Sequence, residues 1–219
     1  MPDSKINKSE VIRYLGYKES SPDEDTLGLI NELISLAEKA LSPRAIHGIF
    51  EIDDNIICGS KDISAHLKDA QNYILFAATL GAEAEMQLNL FQKSDMQKAV
   101  IFDAVCDAYI ESFCDEYCKN LANQLKEKNL YINNRYSPGY GDFKIEKQKE
   151  IVAALQCSKL IGLTLTDSYT LLPRKSVTAV IGVFDRLPTG TSRGCSSCNM
   201  QNKCKMRGTD KCLKQTDFI

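Results

Sequence analysis

No apolar run in this 219-residue sequence approaches the roughly 20 residues needed to cross a bilayer. The longest, Ile74 to Ala82, is broken by Thr79, and no membrane span is expected. A basic excess is absent too: 27 Lys and Arg stand against 29 Asp and Glu, a formal net charge of −2. That balance offers no electrostatic footprint for nucleic acid and no polybasic face for a membrane. Histidine is scarce, with only His47 and His66, and neither has an acid–base partner beside it in sequence. The phosphate loop G-x-x-x-x-G-K-[ST] and the G-x-G-x-x-G turn are missing, as are H-E-x-x-H and G-x-S-x-G, so ordinary kinase and hydrolase chemistry has no support. The opening Met1-Pro2-Asp3-Ser4-Lys5 leads into no apolar segment. No export signal is therefore expected, and the expected location is cytoplasmic.

What remains is an ordinary globular composition, 43% hydrophobic and 26% charged, enough for one domain with a core and a small appendage. Ser21-Pro22-Asp23-Glu24 reads as a capping box with proline at the first helical position. Behind it Ile30, Leu33, Ile34, Ala37 and Leu41 recur at helical spacing. Ser42-Pro43 ends that helix. Ala45 to Ile52 and Asn55 to Cys58 look β-like, Asp62 to Asp69 helical, and Asn72 to Leu80 a strand covered on both faces. Gly81 breaks it before a helix reaching Phe91. A long helix follows from about Asp95 to Lys126, with Cys106, Ile110, Phe113, Tyr117 and Leu121 on one face. Arg135 to Asp142 (RYSPGYGD) is a turn segment, Ile145 to Leu155 a helix, and Leu163–Leu172 and Ser176–Phe184 an expected antiparallel pair. Helices and strands mix without a βαβ rhythm, so the expected class is α+β, an antiparallel twisted sheet bordered by helices.

Two clusters carry possible chemistry. Asp103, Asp107, Glu111 and Asp115 lie one turn apart on the long helix, where like charges repel by a few tenths of a kcal/mol per pair. They form either a solvated face or the border of a site for a cationic ligand. After Asp185 the composition shifts to Gly, Ser, Lys and Cys, which divides the chain into residues 1–185 and a tail, 186–219. Cys195, Cys198, Cys204 and Cys212 follow C-x2-C-x5-C-x7-C in a segment with little else to organise it. Four thiolates there suit a structural zinc or an iron–sulfur cluster, and spacing does not choose between them. Of the remaining thiols, Cys114 and Cys118 sit one turn apart, either a metal pair or small core packing.

The RYSPGYGD turn and the later LTLTDSYTLLPRKSVTAVIGV stretch together resemble the activation domain of cobalamin-dependent methionine synthase. The matching positions are Arg135, Pro138, Gly139 and Tyr140 in the loop, then Leu165 to Val183 in the strands. The stretch NYILFAATLGAEAE and the helix carrying Glu111 resemble a free-standing branch of that family, in which a small protein serves a methionine synthase lacking its own activation domain. The resemblance covers most of residues 9 to 185. It implies that the loop from Arg135 through Tyr136, Ser137, Pro138, Gly139 and Tyr140 binds S-adenosylmethionine. Arg135 would pair with the ligand carboxylate in a bidentate fork. Glu111 would lie near the ligand's positive end, and Tyr140, the catalytic expectation, would face the corrin. Three departures accompany the match: Asn129 replaces an acidic residue six positions before Arg135, the Cys-rich tail replaces a tyrosine pair, and an N-terminal aspartate has no counterpart.

The function so implied is reductive methylation of cob(II)alamin held by a separate methionine synthase, with S-adenosylmethionine as methyl donor and a flavodoxin or ferredoxin as a candidate electron donor. The D-x-H-x-x-G pattern that holds cobalamin by a histidine is missing, so the corrinoid is expected on the partner. The alternative is a non-catalytic module that docks on that or another corrinoid protein, with the metal tail as a clamp.

Overall fold

In the computed structural model of the chain, residues 6–17, 20–53 and 59–188 are described. Seven α-helices are described: α1 (Lys8–Tyr14), α2 (Glu24–Ala40), α3 (Lys61–His66), α4 (Ala82–Ser94), α5 (Met96–Lys126), α6 (Gln148–Ala154) and α7 (Cys157–Leu160). The strands are β1 (Arg44–Glu51), β2 (Asn72–Thr79), β3 (Tyr131–Ile132), β4 (Thr164–Leu165), β5 (Leu171–Leu172) and β6 (Ser176–Phe184). The α+β class is therefore as read from the sequence, with helices flanking a sheet. Four strands form it in the order β1-β2-β6-β3. β3 runs antiparallel to β6, with Tyr131 opposite Phe184 and Ile132 opposite Val183. β2 is antiparallel to β6 as well: Gln71 N–H donates to the Val183 carbonyl at one end, and Leu80 N–H to the Lys175 carbonyl at the other, both at 2.9 Å.

The chain divides into two compact units. Among the described residues, one is drawn from Met1–Ile46, Ala77–Tyr117 and Val152–Val177, and the other from His47–Phe76, Cys118–Ile151 and Thr178–Ile219. In the first, Ile30, Leu33, Leu80, Phe102 and Leu163 are fully buried, and Phe91 meets Phe102 edge-on at 5.4 Å. In the second, Ile63, Ile74, Phe76, Phe143, Ile151 and Ile181 fill the interior. All of β2 after Asn72 is buried, which is why its sequence is continuously apolar rather than alternating.

Three local expectations are corrected. The cap of α2 is Asp23, not Ser21: its carboxylate accepts the Thr26 N–H at 2.7 Å, leaving Pro22 outside the helix. The segments 163–172 and 176–184 are not paired with each other. The first folds on itself as a β4–β5 hairpin, Thr164 opposite Leu172 and Leu165 opposite Leu171, while β6 enters the main sheet. The reason lies in the turn: Thr166 N–H donates to the Thr170 carbonyl, the Thr166 hydroxyl accepts from Thr170 N–H, and Tyr169 takes φ of 61°. The helix over 145–155 is a 3-10 turn, Ile145–Lys147, followed by α6. The segment 135–142 is a turn, as expected, and Tyr136 near its start bridges Val180. The β-like stretch Asn55 to Cys58 lies outside the described residues.

Asn129, where the resemblance leads one to expect an acid, closes α5. It adopts φ of 56°, with Asn129 N–H donating to the Lys126 carbonyl and Leu130 N–H to the Leu125 carbonyl, both at 3.0 Å. This pair of bonds is the Schellman arrangement, and asparagine is among the few residues that tolerate its left-handed position.

Candidate functional site

The loop expected to bind a ligand is attached to β6. After β3, Asn133 N–H donates to the Gly182 carbonyl at 3.3 Å, and the Asn133 side chain accepts the Gly182 N–H at 2.7 Å. Its amide donates to the His66 carbonyl at 2.7 Å. Pairing resumes at Tyr136, which exchanges two 2.9 Å bonds with Val180. Three steps from Asn133 to Tyr136 therefore face two steps from Gly182 to Val180. The extra residue is a bulge, a device that re-aims side chains at a sheet edge. Asn134 and Arg135 lie within it.

Arg135 is half-buried, and its Nη1 donates to the Cys118 sulfur on α5 at 3.7 Å. Tyr136 packs its ring 5.2 Å from that of His66 and 6.2 Å from that of Phe143. Its hydroxyl donates to the Tyr140 carbonyl at 3.4 Å. Ser137 is half-buried and Pro138 buried; the Ser137 carbonyl accepts the Tyr140 N–H at 3.3 Å, closing the bend. Gly139 N–H then donates to the Phe143 carbonyl at 2.7 Å. Gly139 and Gly141 have φ of 93° and 56°, a region costly for residues with a Cβ. At Gly141 a Cβ would also collide with the Asp62 carboxylate and the Tyr136 hydroxyl. Tyr140, at 68% exposure, stands out from the bend. The six expected loop residues are thus gathered on one short, anchored turn that combines a cation, glycines without side chains and an outward aromatic ring.

Sequence reasoning missed what anchors it. The Asp142 carboxylate accepts the Lys61 N–H at 2.8 Å, the Asp62 N–H at 3.1 Å and the Ser60 hydroxyl; in return, Asp62 accepts the Asp142 N–H at 3.2 Å. These bonds, the Ser60 hydroxyl first, hold the Asp142 carboxyl below its ordinary pKa. The pairs lie 80 to 82 residues apart, and no local pattern announces them.

Glu111 belongs to the first unit, on α5, where it is exposed. Burial raises the Tyr14 pKa, and the negative charge of Glu111 adds to that. In the same unit the end of α1, α4 and α5 line an open groove of about 470 Å³, with Tyr14, Leu88, Met96, Val100, Asp103 and Asp107 among its walls. The first half of the acidic stripe is neither a bare solvated face nor an open cation site. Lys175 Nζ reaches Asp103 at 2.9 Å and Asp107 at 2.7 Å.

Cys106, Cys114, Cys118 and Cys157 are buried. Desolvation pushes the Cys106 thiol up to about 12 and the Cys157 thiol up to about 11, so neither is a thiolate near neutrality. Among the described residues no group of three or more side chains could hold a metal, and no helix is long and apolar enough to cross a membrane. Cys195, Cys198, Cys204 and Cys212 lie outside the described residues.

Fold and loop define an α+β domain whose sheet edge presents a bulged, glycine-containing bend. The same fold occurs in the crystal structure of the MetH reactivation domain bound to AdoHcy: TM-score 0.58 and 20% identity, over 83% of this chain and 77% of that one. No curated protein sequence matches the chain. The model of the family described as vitamin B12 dependent methionine synthase, activation domain, matches residues 51–185. The chain belongs to this family.

Proposed function

We propose that the protein binds S-adenosylmethionine on the Arg135–Tyr140 bend and supports reductive methylation of a cobalamin carried by a separate methionine synthase. The observation that carries this reading is the half-buried guanidinium of Arg135, fixed in a bulge beside a bend that ends in an exposed tyrosine. A planar guanidinium suits a carboxylate better than an ammonium does. Gly139 and Gly141 let the bend close tightly, where a Cβ would meet Ile145, the Asp62 carboxylate and the Tyr136 hydroxyl. The solved relative was crystallised with AdoHcy, which retains the amino-acid and nucleoside parts of such a ligand. When bound, S-adenosylmethionine supplies the methyl group and the corrinoid supplies the cobalt that accepts it, with an electron from a flavodoxin- or ferredoxin-type donor. The chain's own work is positioning: Arg135 holds the carboxylate, the bend fixes the ligand's direction, and Tyr140 faces the incoming corrin. No side chain here needs to move a proton, and orientation alone can account for several kcal/mol of barrier.

The test is calorimetric titration of the protein with S-adenosylmethionine. Wild-type protein is expected to bind, and Arg135→Ala to lose the binding heat while keeping its far-UV circular dichroism and thermal midpoint. Equal binding by both proteins would overturn the assignment of Arg135.

A further inference from the structure

The loop's conformation depends on a contact made outside it. Asp142 lies two residues beyond Tyr140, and its carboxylate spans the first turn of α3 by taking the Lys61 and Asp62 N–H groups and the Ser60 hydroxyl. Ser60 is the N-cap of that helix, its oxygen also accepting the Ile63 N–H at 3.1 Å. Asp62 closes the ring by accepting the Asp142 N–H, and its carboxylate occupies the space in which a Gly141 side chain would stand. Two carboxylates are thus held close despite their like charge, Asp142 accepting two backbone N–H groups and the Ser60 hydroxyl, and Asp62 accepting the Asp142 N–H. Within the bend Tyr140 N–H donates to the Ser137 carbonyl, Gly139 N–H to the Phe143 carbonyl, Phe143 N–H to the Tyr140 carbonyl and the Tyr136 hydroxyl to the Tyr140 carbonyl, while Tyr136 bridges Val180 at its start. The Asp142 contacts with Ser60, Lys61 and Asp62 are the ones that tie its exit to α3.

We propose that Asp142 is a positioning residue for the ligand loop: with Ser60 and Asp62 it latches the exit of the Arg135–Tyr140 bend onto the start of α3 and so sets the bend's geometry in advance of binding. This rests on the reading of that bend as the S-adenosylmethionine site. A latched loop binds without first being ordered, whereas an unlatched one forfeits part of its affinity to ordering. Asp142 touches no ligand in this scheme.

The experiment combines two readouts on the whole chain, wild type and the Asp142→Ala and Asp142→Asn variants. Amide hydrogen exchange follows Lys61, Asp62 and Asp142 in the absence of ligand, and calorimetry measures S-adenosylmethionine affinity. The expected result is faster exchange at these amides in Asp142→Ala, with affinity weaker by about five- to tenfold, the scale of one lost capping interaction. Asp142→Asn, which keeps an acceptor oxygen, is expected to fall between. A purely structural role would change exchange and thermal midpoint but leave affinity where it was, and that outcome overturns the proposal. Unchanged exchange in Asp142→Ala overturns the latch itself. Wild-type protein that binds no S-adenosylmethionine defeats the functional reading, and the positioning role with it. That failure is distinguishable because it appears before any substitution is made.

Discussion

The ammonium of Lys175 lies between Asp103 and Asp107 and also donates to the Asp103 carbonyl at 3.3 Å. Burial alone would lower its pKa, but the hydrogen bonds and charges of Asp107 and Asp103 outweigh that and raise it. The sign of the pH dependence follows. A raised folded-state value means that the stabilisation is fully present below the unfolded lysine value of about 10.4 and disappears as pH rises through the folded value. Lys175→Met removes the cation and leaves two carboxylates repelling at i,i+4. With both aspartates about half exposed, solvent screens the pair, and the expected loss is about 1 kcal/mol, read as a lower urea midpoint at pH 7. The difference should shrink in molar salt. Periodicity placed the four acidic residues on one helix face, yet their cation sits 68 to 72 residues away in sequence, where spacing carries no information. Arg135 was legible from its local loop pattern, whereas its contact with Cys118, 17 residues away, was not.

At the scale of elements, Asn133 joins three pieces of the second unit. Its side chain donates to the His66 carbonyl at the end of α3 and accepts the Gly182 N–H of β6, and it begins the bulge that presents Arg135. Asn133 is 5% exposed, so Asn133→Ala would strand the buried Gly182 N–H at about 1–3 kcal/mol and also remove the bond to the part-buried His66 carbonyl. The prediction is a loss of roughly 2–4 kcal/mol in chemical denaturation, accompanied by weaker S-adenosylmethionine binding because the bulge is no longer pinned. Long periodic elements were readable: on the face of α5 expected from spacing, Cys106, Ile110, Phe113 and Leu121 are buried and Tyr117 is half-buried, and β2 is buried as its unbroken apolar run required. Short β segments were not. Thr166, Ser168 and Thr170 look like strand residues by composition, but their hydroxyls hydrogen-bond one another across a turn. That local bonding competes with the sheet ladder. The same competition moved the cap of α2 from Ser21 to Asp23, whose carboxylate is the stronger acceptor for a helix N-terminus.

For the whole molecule, the α+β class and the family were legible because they rest on the order of several segments rather than on one motif. The interleaving of two compact units along the chain was not, since it depends on where strands and the long helix hand over from one unit to the other. In the proposed function the corrinoid is carried by a separate methionine synthase, and that part of the proposal can be tested directly. The most direct measurement mixes this protein anaerobically with a methionine synthase that lacks its own activation domain and carries cob(II)alamin, together with a reduced flavodoxin or ferredoxin and S-adenosylmethionine labelled in its methyl group. The account predicts that labelled methylcobalamin appears only when this chain is present and that Arg135→Ala abolishes its formation; equal formation without the chain, or with the variant in its place, would contradict it.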